Sequence, residues 1–410
     1  TLASPPDRRA LWATYAIGLF GMGYIDVFVF LMPLYGYELG LSAAKIGTLV
    51  GARTFLSLLF SIHVGNLLDR FGTVRVMKYF VLLAAFVAPI YPLTESFWVL
   101  LVLQMIIGGA VSFAWAGAQT LIAQLTNGDA EYIGRFSFAS RIGTTTAPLV
   151  AGVIWDLGGV WPAYLLPSIW GTVLFGTLFL APKIEINSSL NKTEEQTKNL
   201  KATPFLIRDL LPKYSDYVRS FSMMLIPIVG ISVTIMVLRI STSSVNNSLY
   251  VVYLDGIGMT GTMIGLLFAA IEASSGIGSL MGGRAIKIAD PRWLMLFGTA
   301  ATIFFISITP LLGGIFIILL FAQIFRGLLQ GVIEPVMFSV QAKAVRSHEQ
   351  GAIVGLRQTM HRLSAIIVPP LMGLIADQWG IEESFLILGA GLLFLCVLVG
   401  LWVRKIPNNP

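Results

Sequence analysis

Twelve apolar runs follow one another along this chain, each long enough to cross a lipid bilayer as a helix. They fall near 11–36, 43–68, 74–93, 97–124, 133–156 and 161–181, then near 224–254, 261–284, 292–310, 314–343, 351–377 and 382–403. A helical span needs about 20 predominantly apolar residues. Backbone inside lipid must satisfy its own hydrogen bonds, which a helix does. The pattern predicts an all-α membrane protein with twelve transmembrane helices. Composition agrees: 56% of the 410 residues are apolar and 12% are charged, against about 25% charged in a soluble domain. So little charge cannot cover a water-facing surface, and lipid must be the missing solvent. The 41 Gly and 19 Pro do not argue against helices, because membrane spans tolerate both.

The only long polar stretch, 182–220, divides the runs six and six. It predicts an N-terminal six-helix bundle over 1–181, a cytoplasmic linker over 182–220 and a C-terminal six-helix bundle over 221–410. Within the linker, the segment around Phe205–Tyr217 reads as an amphipathic surface helix, with plain disorder as the alternative. The run from Leu11 is too long for a signal-peptide core and contains an acid, so no cleavable signal is expected. The chain starts at Thr1 rather than Met, and some residues are expected to precede it. Its single cysteine, Cys396, excludes an internal disulfide and a cysteine metal cluster.

Charge sets the topology. With an even number of spans both termini share a side. That side receives nearly all the loop cations, from Arg8 and Arg9 through Arg75, Lys78 and Arg135 to Arg404 and Lys405. The opposite side holds Lys45, beside Glu38, Glu95, Asp255, Glu382 and Glu383. Basic residues collect in cytoplasmic loops, so both termini are expected in the cytoplasm. The net charge of +6 reads as topology rather than as attraction to nucleic acid.

The halves repeat one another. Arg141, Pro148, Gly152 and Asp156 in the fifth span match Arg362, Pro369, Gly373 and Asp377 in the eleventh, each at an offset of 221. Gly47 matches Gly265 at an offset of 218, Arg75 matches Arg292, and Gln104–Gly109 matches Arg326–Gly331. Repeated halves with a site near the bilayer midplane mark many secondary transporters.

The segment Gly65-Asn66-Leu67-Leu68-Asp69-Arg70-Phe71-Gly72, followed by Arg75, closes the second span. It resembles the loop signature of the major facilitator superfamily, Gly-x-Leu-x-Asp-Arg-x-Gly with basic residues after it. Gly283, Arg284, Lys287 and Arg292 look like its degenerate copy. The resemblance covers the whole chain and implies two six-helix pseudo-repeats that rock about a central site. It also implies gating or conformational roles for Gly65, Asp69, Arg70, Gly72 and Arg75. Asp69 would latch the halves by facing the orphan N–H groups at the start of the eleventh span, near Gly351. Pro148 and Gly152 resemble part of the fifth-span signature of proton-coupled antiporters, with Ala147 where that signature has glycine. Asp26 in the first span, with Pro33 seven residues on, resembles drug:proton antiporters. Those antiporters usually carry an arginine in the fourth span where Gln104 stands here, which argues against a proton relay through that span.

Ionisable groups inside spans are expensive and usually functional. Asp26, Glu272 and Glu334 are the candidates for proton coupling. Arg53, Arg141, Arg239 and Arg326 are the candidates for substrate binding, since three acids cannot neutralise the interior cations. Arg357, His361 and Arg362 share a further helix with them. Tyr24 and Phe28 are candidates for an apolar substrate wall. His63 reads as a packed or surface residue near the end of the second span.

The expected function is proton-coupled secondary transport of a small organic solute by alternating access, with export of amphipathic or drug-like compounds in first place. An organic anion such as a carboxylate or siderophore is the alternative, and a transporter-like receptor is the non-transporting one. Nothing resembles a channel filter. His63, His348 and His361 are not at metal-ligand spacing, and no phosphate loop or nucleophile–base pair points to an enzyme. No cofactor or metal is implied. The expected partners are the solute, protons and membrane lipid, with the chain a monomer in the plasma membrane.

Overall fold

The computed structural model describes residues 7–60, 67–68, 71–126, 129–181, 221–345 and 350–405. His63, Gly65, Asp69, Arg70, His348 and the linker 182–220 lie outside these residues, so their expected roles stay as expectations.

Twelve helical spans are present among the described residues. In the first half they are α1 (Arg8–Glu38), α2 (Ala43–Phe60), α3 (Thr73–Leu93), α4 (Phe97–Thr126), α5 (Ala130–Gly158) and α6 (Val160–Leu180). In the second they are α7 (Pro227–Gly256), α8 (Gly261–Ile288), α9 (Pro291–Ser307), α10 (Phe316–Ala344), α11 (Gln350–Trp379) and α12 (Ile381–Lys405). Ten of these are long and apolar enough to cross a membrane unaided. The other two are α9, at 17 residues, and α5, which carries Glu131, Arg135, Arg141 and Asp156. A polar span is tolerated when its charges face protein instead of lipid, and α5 packs between α1 and α8.

Local sequence explains the ends. Ser42, Asp129, Thr260 and Asp290 stand just before α2, α5, α8 and α9, and each side chain accepts a backbone N–H of the first turn. Such caps satisfy donors that the helix cannot. Gly72 precedes α3 with φ +86°, a left-handed conformation that glycine reaches without strain. Arg75 follows on the first turn of α3 and is exposed. Two spans are broken. α2 turns at Arg53 and Thr54, and α7 at Asn247 and Ser248, where Ser248 has φ −132° and ψ −98°.

Two apolar cores hold the fold. One fills the first half and runs across into the far ends of α7 and α8, taking in Tyr250, Leu254, Leu267 and Phe268. The other lies within α7, α9, α10, α11 and α12. Phe30 of α1 meets Phe268 of α8 edge to face at 5.6 Å between ring centres, joining the halves. The shared core lies toward the ends of the helices away from the termini, here the far side.

Candidate functional site

The repeated Arg–Pro–Gly–Asp pattern of α5 and α11 builds the junction between the halves. On the far side, Asp156 at the end of α5 accepts from the N–H groups of Gly261 at 2.6 Å and Thr262 at 2.7 Å, and from the Thr262 hydroxyl at 2.5 Å. Asp377, at the same place in α11, accepts from the N–H groups of Ala43 at 2.8 Å and Ala44 at 3.2 Å. Each carboxylate thus sits on the first turn of a helix in the other half, where free donors and the helix dipole favour negative charge. The two seams are pseudo-symmetric copies.

Glycines let these seams close. A Cβ at Gly152 would lie 2.1 Å from the carbonyl oxygen of Gly261, and one at Gly265 would lie 2.6 Å from that of Pro148. In the other seam, a Cβ at Gly47 would lie 2.2 Å from the carbonyl oxygen of Pro369, and one at Gly373 2.4 Å from that of Ala43. Backbone meets backbone across both seams, and the far side is shut. Pro148 and Gly152 are therefore both at the contact between the halves.

Nearer the middle, the arginines of the pattern reach across. Arg141 of α5 lies 3.7 Å from Glu272 of α8 and 3.8 Å from Glu334 of α10. Arg362 of α11 donates to the carbonyl oxygen of Ser57 in α2. The Arg141, Glu272 and Glu334 side chains are each about a third exposed, at 34%, 35% and 36%. With the far side closed, the side carrying the termini is the route to them.

Between these layers lies a cavity of about 80 Å³. α1 contributes Asp26 and Val29, and α5 contributes Thr144 and Pro148. α7 contributes Ser243, Asn246 and Asn247 from the turn that breaks it. α8 contributes Phe268, Ile271 and Glu272, and α10 contributes Arg326 and Gln330. Eight of the twelve lining residues are polar and four are apolar, and the volume has room for a few waters, below the usual size of a drug pocket. Asp26 faces Thr144, and Glu272 and Arg53 are within electrostatic reach. Its Oδ2 is buried without a hydrogen-bond partner.

The expected site residues separate into groups. Asp26, Glu272 and Arg326 meet at the cavity, and Arg141 and Glu334 lie beside it. Arg53 stands in the α2 turn, and Arg239 lies in α7 with Nε buried and unpartnered; neither is in the cavity lining. Tyr24 and Phe28 are each 1% exposed within the first-half core, their rings 5.4 Å apart. Neither is in the cavity lining. Thr144, Ser243, Asn246, Asn247 and Gln330 escaped a sequence reading that followed charge. The polar run Ser241-Thr242-Ser243-Ser244 with Asn246-Asn247-Ser248, inside an otherwise apolar span, was the available signal.

Known proteins match this architecture. The chain is 22% identical over 398 residues to the staphylopine export protein of Staphylococcus aureus, covering 94% of this chain and 93% of that protein. It is 22% identical over 397 residues to an uncharacterized MFS-type transporter of Methanocaldococcus jannaschii, covering 92% of each. The crystal structure of the nucleoside transporter NupG superposes with a TM-score of 0.75 at 12% identity, covering 97% of this chain and 100% of that one. The sequence profile of the Major Facilitator Superfamily matches residues 11–241 and again 231–410. A profile that fits the whole chain, on a fold of twelve helices in two repeated halves, identifies it as a member of the Major Facilitator Superfamily, an integral membrane transporter and not an enzyme.

Proposed function

We propose that this transporter is a proton-coupled exporter of a small polar organic solute, cycling by alternating access about the central cavity. The observation that carries the reading is the position of Asp26: an acid of α1, without a salt bridge among the described residues, sharing one cavity with Glu272 of the other half. Intramembrane carboxylates so placed are the usual stations of proton relays. Glu272 and Glu334 share Arg141 at ion-pair distance, with Arg239 and Arg357 within electrostatic reach, so one proton taken up at this cluster changes how tightly the halves are tied on the open side. The far-side seal and the cavity reached from the termini correspond to one end state of a rocking cycle.

The polar lining favours a polar solute over an amphipathic or drug-like one. Export is supported by the likeness to a protein named for staphylopine export. The proposed setting is a monomer in the plasma membrane; the charge asymmetry of the loops supports both termini in the cytoplasm, so that the closed far side faces outward.

Transport by the full chain in proteoliposomes tests the coupling, using labelled carboxylates and cationic dyes with and without a pH gradient. Asp26→Asn is expected to lower gradient-driven flux at least roughly tenfold while sparing solute exchange. Unchanged gradient-driven flux in that variant would falsify the role given to Asp26.

A further inference from the structure

Arg326 is the largest side chain shut away from solvent, with 1% of its surface exposed. No carboxylate lies within 4 Å of it among the described residues. Its Nη1 is held by two neutral acceptors, Asn246 Oδ1 at 3.1 Å and Gln323 Oε1 at 2.6 Å. Gln323 also donates to Asn246 Oδ1 at 3.1 Å, which locks the acceptors in place. The other edge of the guanidinium, Nε and Nη2, has no hydrogen-bond partner, nor has the Nε2 of Gln330 one turn further along α10. Arg326 and Gln330 both line the cavity.

Arginine stays charged when buried, and a buried charge without a counter-ion is costly. Among the described residues, two neutral acceptors offset only part of that cost. The acids of the cavity are engaged elsewhere or too far off: Glu272 leans to Arg141, and Asp26 faces Thr144. The free edge is the pair of parallel N–H groups that grips a carboxylate in a fork. The two acceptors on Nη1 fix the direction of that edge, which is buried in this state and lies on a residue of the cavity lining.

We infer that Arg326, held by Asn246 and Gln323, is the subsite for a carboxylate of the transported solute. This rests on the reading of the chain as a solute transporter and names the chemical class that its cavity takes. In the apo state the arginine waits without a counter-ion, and the solute brings one.

The test uses the purified full chain in detergent and three probes of one size: propionate, propionamide and propylamine, at matched ionic strength with chloride as the reference. Thermal melting reports binding without flux or protons, so it can succeed or fail independently of the transport assay. Propionate alone is expected to raise the melting temperature. Arg326→Lys, which keeps the charge and loses the fork, is expected to weaken the apparent affinity roughly tenfold. Asn246→Asp supplies an internal counter-ion; it is expected to keep or raise the melting temperature of the free protein while removing the propionate response. The inference is overturned if propionate acts no better than chloride or propionamide, or if its effect survives in both variants.

Discussion

A methyl group at residue 152 would stand 2.1 Å from the carbonyl oxygen of Gly261, far inside contact distance. Backbone on both sides leaves no flexible side chain to yield, so α5 and α8 must separate. Overpacking of this kind costs about 1–3 kcal/mol. Gly152→Ala is therefore expected to depopulate the far-side-closed state. Spin labels at Leu157 and Ile257, exposed residues on opposite sides of that seam, should report a longer and broader distance. An unchanged distance would mean that the seam does not depend on glycine. Single residues were legible in unequal measure. Asp26, Glu272 and Arg326 announced themselves because charge inside an apolar run is conspicuous. Asn246 and Gln330 did not, because a neutral amide in a membrane helix is less conspicuous than a charge, and the polar run around Asn246 showed only as an interruption of an apolar span. For Tyr24 and Phe28, aromatic rings near an acid fit a solute wall and a packed core equally well in sequence; the structure sets them in the first-half core, outside the cavity lining.

At the scale of helices, the far-side seal is two carboxylates on two helix starts. A charged acceptor at a helix N-terminus contributes about 0.3–1 kcal/mol through the dipole, more when partly buried, beside about 1 kcal/mol for the cap itself. Asp156→Asn and Asp377→Asn each lose the charge and one acceptor. Each is expected to shift the closed-to-open ratio by roughly five- to tenfold, and the pair by close to the product, since the seams are separate contacts. Labels at Lys45 and Trp379, read together with those at Leu157 and Ile257, measure both seams. If either single variant already opened both seams fully, the independence would be refuted. The sequence displayed these acids as markers of a repeat. Their role as caps on the opposite half was hidden, because a cap is recognised by the helix it touches, and these touch helices more than a hundred residues away.

For the whole molecule, the run of apolar segments was enough to set the helix count, α5 included despite its charges, and the repeat paired it with α11. Span limits agree to within a few residues where the described residues allow comparison; the run that begins at 43 continues past Phe60 into 61–66, which lie outside them. Orientation in the membrane belongs to this scale as well. The loop cations on the side of the termini lead to the expectation that reporters fused at either end are active only in the cytoplasm. A periplasmic phosphatase fused after Lys405 should be silent, and the same reporter inserted between Glu38 and Ala43 should be active; the reverse pattern would invert the proposed direction of export.

Both far-side acids hold main-chain N–H groups rather than charged partners. The grip at Ala43 and Ala44 is thus blind to what side chains those positions carry, proline apart, since proline alone has no N–H to offer, whereas at Thr262 the hydroxyl adds a side-chain donor to the main-chain one. Neutral drift there leaves the lock working, whereas loss of either acid has no such tolerance. The closure of this transporter is in that sense written largely into its polypeptide backbone, read by two acids with one hydroxyl beside them.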